Sequence, residues 1–445
     1  MTPWKPTIAH VRAAAGGVLL VIAAVLVRRP DLIVIGSPLL TVAIWSTLRR
    51  PREVPIVTER IDHGIIREGD ATTWRIHVVH EDRSEDVSAV LARADHSDLE
   101  PQLGGVTAAS STAVAETPSA GRVTDLSVVV RSTRWGRRPI GPATVVASSA
   151  WAAFRWSSDS ALSSEAAANA SKVLTTLPMP SVFDAAAPVA HRSGLVGLSR
   201  SSRPGDGSEF ASIRPFQPGD RMRRIHWPRS TRSGTLHVTS TWADQDAHVV
   251  LLVDAFNDIG TSEGLDGNPS SCDIAVRAAA AIAEHHLHRG DRVALQIIGS
   301  RGAVRVPPAS GMAHHRRILD TLATIEPATV VGEDIRLRLG LGADALVVML
   351  SPLISPLALA RANALANRGI TVVVVDTLPP TVSEIDPEDP LLALAWRLRL
   401  LERRREIRRI ETIGVPVVAW RGPGSLDQVL RDVHRHVGAP RLVRR

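Results

Sequence analysis

Apolar residues divide the chain into three stretches with different patterns. The first holds two nearly continuous apolar runs, Ala13–Val27 and Leu32–Leu48, separated by Arg28-Arg29-Pro30-Asp31 and closed by Arg49, Arg50, Pro51 and Arg52. At 1.5 Å per residue each run reaches roughly 22–26 Å, a little short of a ~30 Å hydrocarbon core that snorkelling arginines can help to span. This predicts a transmembrane helical hairpin over residues 1–52, with a soluble helical hairpin as the alternative. A cleaved signal peptide fits poorly, because Arg28-Arg29-Pro30 stands where a small-residue cleavage site belongs. Lys5 and Arg12 precede the first run, and Arg49, Arg50 and Arg52 follow the second, against only Arg28 and Arg29 between them. That bias places both termini, and so the body of the chain, on the cytoplasmic side of the cell membrane.

Residues 53–160 change to short alternating or β-branched segments such as Thr73–His80, Val87–Leu91, Val123–Val130 and Ala143–Ser148, separated by Gly, Asp, Ser and Pro. Without a long helical period, this predicts an all-β sandwich domain. A Ser/Ala-rich stretch within 161–204 reads as a linker. From 239 to 445, buried-type strands alternate with helices. The strands are His248–Asp254, Arg292–Ile298, Ala345–Leu350, Ile370–Asp376 and Val415–Trp420. The helices are Cys272–Arg289, Met312–Ile325, Leu357–Asn367, Leu391–Ile410 and Leu426–Val437. Such strict alternation predicts a doubly wound parallel α/β sheet.

Composition narrows the function classes. A chain of 445 residues with 44 % hydrophobic content supports two or three domains. The net charge of +7 is carried almost wholly by arginine, Lys5 and Lys172 being the only lysines. This reads as a solvated basic surface rather than a nucleic-acid footprint. A lone cysteine, Cys272, excludes an internal disulfide framework. There is no Gly-Lys pair for a phosphate-binding Walker loop, no Gly-x-Ser-x-Gly elbow and no His-Glu-x-x-His pair. His285, His286 and His288 end one helix and His314 and His315 begin another; they read as solvated, dipole-stabilised histidines, with a metal pair of His285 and His288 at i, i+3 spacing as the alternative. The arginines of Leu391–Ile410 form a charged face or, more sharply, a contact with anionic lipid.

The densest chemistry lies in residues 205–238, GDGSEFASIRPFQPGDRMRRIHWPRSTRSGTLHV. Pro218-Gly219 suits the centre of a type II turn, with Asp220 positioned to cap a helical turn over Arg221–Ile225. Arg214, Arg224 and Arg232 offer planar forks to Asp206, Glu209 or Asp220. The segment is read as a buckle joining the two domains, with Trp227 as its apolar anchor and partner docking as the alternative role. His226 has no evident nucleophile, so no catalytic residue is assigned.

This segment resembles the signature of the bacterial domain-of-unknown-function-58 family. The matching positions include Gly205, Glu209, Phe210, Arg214, Pro218, Gly219, Asp220, Arg224, Trp227 and Arg232. The resemblance implies a pair of membrane spans, a β-rich domain and a domain similar to von Willebrand factor A. It also implies association with a MoxR-type AAA+ ATPase in chaperone-like assembly or envelope maintenance. Domains of the von Willebrand kind often hold Mg²⁺ on Asp-x-Ser-x-Ser. Here the sequence reads Asp254-Ala255-Phe256-Asn257-Asp258, with Ser351-Pro352 where a later Asp would stand, so the motif looks degenerate. The expectation is a membrane-anchored, non-enzymatic interaction protein. A metal-dependent ligand binder using Asp254 and Asp258, or an unrecognised hydrolase, are the alternatives.

Overall fold

The helical hairpin begins before the apolar runs do. In the computed structural model of the chain, helix α1 covers Ile8–Leu26 and helix α2 covers Asp31–Leu48. The Thr7 side chain accepts a hydrogen bond from the His10 N–H at 3.3 Å, and this cap recruits the mixed first turn into α1. The two helices are therefore about 27–29 Å long, closer to a bilayer core than the apolar runs alone. They approach through small residues: Gly17, Ala24, Gly36 and Ala43 are buried. Seam included, only 11 % and 17 % of the two apolar windows are buried. Both helices are long and apolar enough to cross a membrane.

The structure describes residues 4–109, 122–158, 171–179, 204–218, 220–242, 248–299, 304–327, 345–383 and 390–420. The chain divides into two compact units, Met1–Leu177 with Gly264–Asp266, and Pro178–Glu263 with Gly267–Arg445.

In the first unit the strands run β1 (Lys5–Pro6), β2 (Ile56–Ile61), β3 (Ile65–Arg67), β4 (Ala71–His80), β5 (Ser84–Val90), β6 (Ser97–Glu100), β7 (Gly105–Ala109), β8 (Arg122–Ser132), β9 (Gly136–Ile140), β10 (Thr144–Ser149), β11 (Phe154–Ser157) and β12 (Lys172–Leu177). They form sheets of order β1-β11-β10-β5-β7, β2-β4-β8-β6 and β3-β12-β9. Period-two alternation sends Trp74, Ile76 and Val78 of β4 and Leu126, Val128 and Val130 of β8 into one core. Val87, Ala89, Val145, Ala147, Phe154 and Trp156 enter it from the sheet containing β5, β10 and β11. Glu59 sits beside this core, and burial pushes its carboxyl above the usual range. It accepts from the Trp74 indole N–H at 3.0 Å and the Ala143 N–H at 3.1 Å. Lys172–Leu177 falls in the stretch read as linker, yet it forms β12. It pairs parallel with β3 and antiparallel with β9. Its β-branched, apolar content outweighs the Ser/Ala-rich residues before it, which mostly lie outside the described residues.

The second unit opens with a hairpin, β13 (Pro204–Pro215) and β14 (His237–Trp242), whose loop carries the short helix α3 (Trp227–Ser233). The α/β sheet follows: β15 (His248–Asp254), helix α4 (Ser271–His288), β16 (Arg292–Ile298), β17 (Val304–Ala309), helix α5 (Met312–Leu322), β18 (Ala345–Ser351), helix α6 (Pro356–Asn367), β19 (Thr371–Asp376), helix α7 (Pro390–Thr412) and β20 (Val417–Ala419). Its order is β17-β16-β15-β18-β19-β20. All neighbours are parallel except β17, an antiparallel edge strand that the sequence pattern did not announce. Helix α4 packs on β15, β16 and β18, with α5 beside it. Val250, Leu252, Val347, Met349, Val372 and Val374 on the other face pack with α6 and with Ile410 of α7. Covering both faces explains why these strands read as unbroken apolar runs. The expected helix Leu426–Val437 lies outside the described residues.

Candidate functional site

In an open α/β sheet, ligands bind beyond the carboxyl ends of the strands, where the strand order reverses. Here that point lies between β15 and β18, and the residues ending those strands are Asp254 and Ser351. Asp254 is only 2 % exposed. Its Oδ2 accepts a 2.5 Å hydrogen bond from the Ser351 hydroxyl, and its Oδ1 accepts from the Phe256 N–H at 3.1 Å. Burial raises the Asp254 carboxyl above its ordinary value, and the Ser351 and Phe256 hydrogen bonds oppose that rise. Ser351 Oγ accepts in turn from the Leu353 N–H at 3.0 Å. Serine thus takes the place at the end of β18 where a later carboxylate was expected, and it donates directly to the first.

Asp258 is equally occupied. Its Oδ1 accepts from the Cys272 N–H at 3.0 Å and lies 3.5 Å from the Ser271 hydroxyl. It therefore caps α4 from outside, beside the reciprocal Ser270–Asp273 capping box. Phe256 has no coordinating atom, and Gly299 is pressed against its backbone. Among the described residues, no three His, Cys, Asp or Glu side chains gather in a metal-holding group. With both carboxylates committed to protein donors, the residues present do not fit an octahedral Mg²⁺. Three of the histidines read as solvated, His286, His314 and His315, are instead buried: His286 meets Asp291 at 2.8 Å, and His314 reaches the Val293 carbonyl at 2.7 Å.

The arginine run of α7 splits into two groups. Arg403 is buried; its Nη2 lies 2.5 Å from Asp376 Oδ1 and its Nε donates to the Pro352 carbonyl at 2.8 Å. One turn earlier, Arg399 donates to the Ile354 carbonyl at 3.0 and 2.6 Å and pairs with Glu406 at 3.0 Å. These two arginines clasp the loop after β18, in which Leu353 has φ +54°. Sequence reasoning grouped them with an exposed charged face. Their i, i+4 spacing is the only signal that they share a side of the helix.

The signature segment 205–238 folds as the β13–β14 hairpin. Arg214 pairs with Asp220, one of the three acids considered, through bidentate hydrogen bonds of 2.8 and 2.6 Å. Asp220 does not cap the following helical turn. It accepts from the Gln217 N–H at 2.8 Å instead, because Arg214 draws it back toward β13. The Arg214 hydrogen bond, then that of Gln217, holds the Asp220 carboxyl below its usual range. His226 plays the capping role at α3, its Nδ1 accepting from the Arg229 N–H at 3.2 Å. Buried Ser230 ties α3 to β14 by accepting from the His237 N–H at 2.9 Å. Gly234, with φ +70°, ends α3 in the left-handed conformation that favours glycine. Gly205 and Glu209 lie on β13, the Glu209 side chain outside the described part, and Gly219 lies outside the described residues. Pro218 is in the turn, Arg224 is half-buried and Arg232 is exposed.

Trp227 departs most from expectation. It is 61 % exposed at the start of α3 and is not among the buried residues of the unit's core. Phe210 and Met222 are likewise 61 % and 78 % exposed, and Arg221, Arg223, Arg229 and Arg232 are exposed on the same segment.

Comparison with known proteins gives this geometry a context. Uncharacterized proteins of Mycobacterium tuberculosis and Mycobacterium bovis are 32 % identical to the chain over 239 residues, which is 53 % of this chain and 63 % of each relative. The chain thus matches less than two thirds of the length of these relatives. A family model described as "Protein of unknown function DUF58" matches residues 212–397, from within β13 of the signature hairpin, through strands β15–β19 of the α/β sheet, into α7.

Proposed function

We propose that the chain is a membrane-anchored, non-enzymatic interaction protein whose α/β unit docks a protein partner. In this reading the first unit is a β-sandwich and the α/β unit is von Willebrand factor A-like. The partner is a MoxR-type AAA+ ATPase, the body is cytoplasmic, and the work is chaperone-like assembly or envelope maintenance. The observation that carries the docking role is the exposed Trp227, on a segment that also exposes Phe210, Met222 and four arginines. Aromatic residues, methionine and arginine are the types enriched at interfaces, and Trp and Arg dominate hot spots. The Asp254–Ser351 contact favours docking that needs no metal bridge.

The test is capture of a purified MoxR-type ATPase by the full chain in lipid nanodiscs. Trp227→Ala is expected to weaken capture by about 30-fold or more, the loss of a hot spot of roughly 2 kcal/mol. Its thermal unfolding should match that of the wild type, since exposed substitutions stay within about 0.5 kcal/mol. Wild-type capture by Trp227→Ala, Phe210→Ala and Met222→Ala would remove the hairpin from the interface.

A further inference from the structure

Helix α7 carries a second exposed feature, independent of the hairpin. Leu391, Leu394, Leu398 and Leu401 recur at i, i+3, i+7 and i+10, which places them along one face, and each is more than half exposed. The opposite face is fixed to the α/β unit by Trp396, which donates to the Val382 carbonyl at 3.0 Å, and by Arg399, Arg403 and Ile410. The leucine stripe continues into Arg405 and Arg408, and Arg397, Arg404 and Arg409 are exposed beside it. Glu402 and Glu406 are held by Arg399, and Glu411 follows at the end of the helix. The outward face is therefore apolar at its amino-terminal half and cationic at its carboxyl-terminal half.

We infer that this face of α7 docks on the surface of an anionic lipid bilayer, its leucines entering the headgroup–acyl boundary and its arginines meeting lipid charges. Charge complementarity selects this occupant over a second copy of the chain. Two α7 helices joined in parallel would set one arginine cluster against the other, and an antiparallel pair would leave both clusters without acidic partners. An amphipathic helix with a leucine face and an arginine-rich flank has the composition of interfacial helices. The apolar pair α1–α2 holds the body near a bilayer, so weak surface binding becomes an intramolecular event. The inference rests on the membrane anchoring proposed above and not on the ATPase partner.

The test uses the full chain, one copy per nanodisc, with Leu398→Cys carrying an environment-sensitive fluorophore and Cys272→Ala removing the native thiol. Arg316→Cys, on the exposed side of α5, serves as the control site. In discs of phosphatidylcholine with phosphatidylglycerol, the probe at 398 should shift to shorter wavelength and be quenched by lipid-borne quenchers. In pure phosphatidylcholine it should do neither, and the probe at 316 should be silent in both. Combined Arg404→Glu, Arg405→Glu and Arg408→Glu should weaken docking by on the order of 100-fold, from ~5-fold for each arginine near an anionic surface. Identical spectra in the two lipids would overturn the inference. So would a shift that appears only in discs holding two copies, which would assign the face to self-association. A chain that fails to enter discs at all would overturn the anchoring itself and this inference with it.

Discussion

Replacing Asp254 probes the centre of the α/β sheet. Asp254→Ala removes the acceptor of the Ser351 hydroxyl and of the Phe256 N–H, both in the buried end of the sheet. Each orphaned donor costs about 1–3 kcal/mol, so the pair costs roughly 2–5 kcal/mol, reduced somewhat because a buried carboxylate is also removed. In a unit of this size each kcal/mol moves the midpoint by about 2–4 °C, so a fall of roughly 5–15 °C is expected. Asp254→Asn should cost far less. Its amide oxygen still accepts from Phe256, and its NH₂ can donate to Ser351 Oγ in a reversed bond, so that only the Ser351 hydroxyl hydrogen loses its acceptor.

The two variants also differ in pH dependence. Burial holds the Asp254 carboxyl above its ordinary value of 3.8, so the folded state binds this proton more tightly than the unfolded one. The resulting stabilisation is fully present below the unfolded value. It is lost as pH rises from there through the folded value, after which it stays constant. Asp254→Asn lacks this decline, so the stability difference between wild type and Asn should move in favour of Asn as pH rises through that window. Other carboxylates cancel in the difference. Pulse proteolysis in urea, on the full chain in nanodiscs, reads all three proteins across pH. Millimolar Mg²⁺ should leave wild-type stability unchanged, whereas a bound ion would raise it by mass action. A wild-type midpoint for Asp254→Ala, a pH-independent difference for Asp254→Asn, or stabilisation by Mg²⁺ would each refute the reasoning.

Three further outcomes follow from the same geometry. Gly299→Ala should destabilise the α/β unit by about 2–5 kcal/mol: Gly299 has φ +80°, and an added Cβ would lie 2.3 Å from the Phe256 backbone nitrogen. Chemical denaturation checks it, and Gly290→Ala, where φ is also positive (+85°) but nothing lies within 4 Å, should cost less. Gly36→Leu should separate α1 from α2, because a Cβ there already stands 3.0 Å from Leu20 Cβ and 3.3 Å from the Gly17 carbonyl; double electron–electron resonance between labels at the helix ends should show a longer, broader distance. Asp220→Ala should speed hydrogen exchange at the Gln217 amide. Because the Asp220 carboxyl lies below its usual range when folded, the same protection in wild type should be present above the ordinary value of 3.8 and be lost as pH falls through the folded value.

What the sequence made legible was what period and run length encode. The strands of the α/β sheet were readable because both of their faces are covered. Edge strand β17 was missed because VRVPPA carries two prolines, and an edge that leaves some N–H positions unpaired tolerates them. The α1 start was missed because a single Thr7 cap extends the helix through polar His10 and Arg12. At the candidate site the limit was different. The sequence shows that Phe256 replaces one hydroxyl of the metal motif and that a serine stands at the end of β18. It does not show that this serine turns toward Asp254, since the partners are 97 residues apart and meet only through the β15–β18 register. Trp227 shows the converse limit. A tryptophan amid arginines reads equally well as a core anchor or a contact residue, and only the geometry of α3 turns it outward. The two cases share one physical cause. Spacing along the chain fixes which side of an element a residue occupies, while packing of remote elements decides whether that side meets protein or solvent. The hydroxyl–carboxylate pair at the sheet end and the outward tryptophan, taken together, are why the proposed docking role is assigned to the surface hairpin rather than to the strand termini.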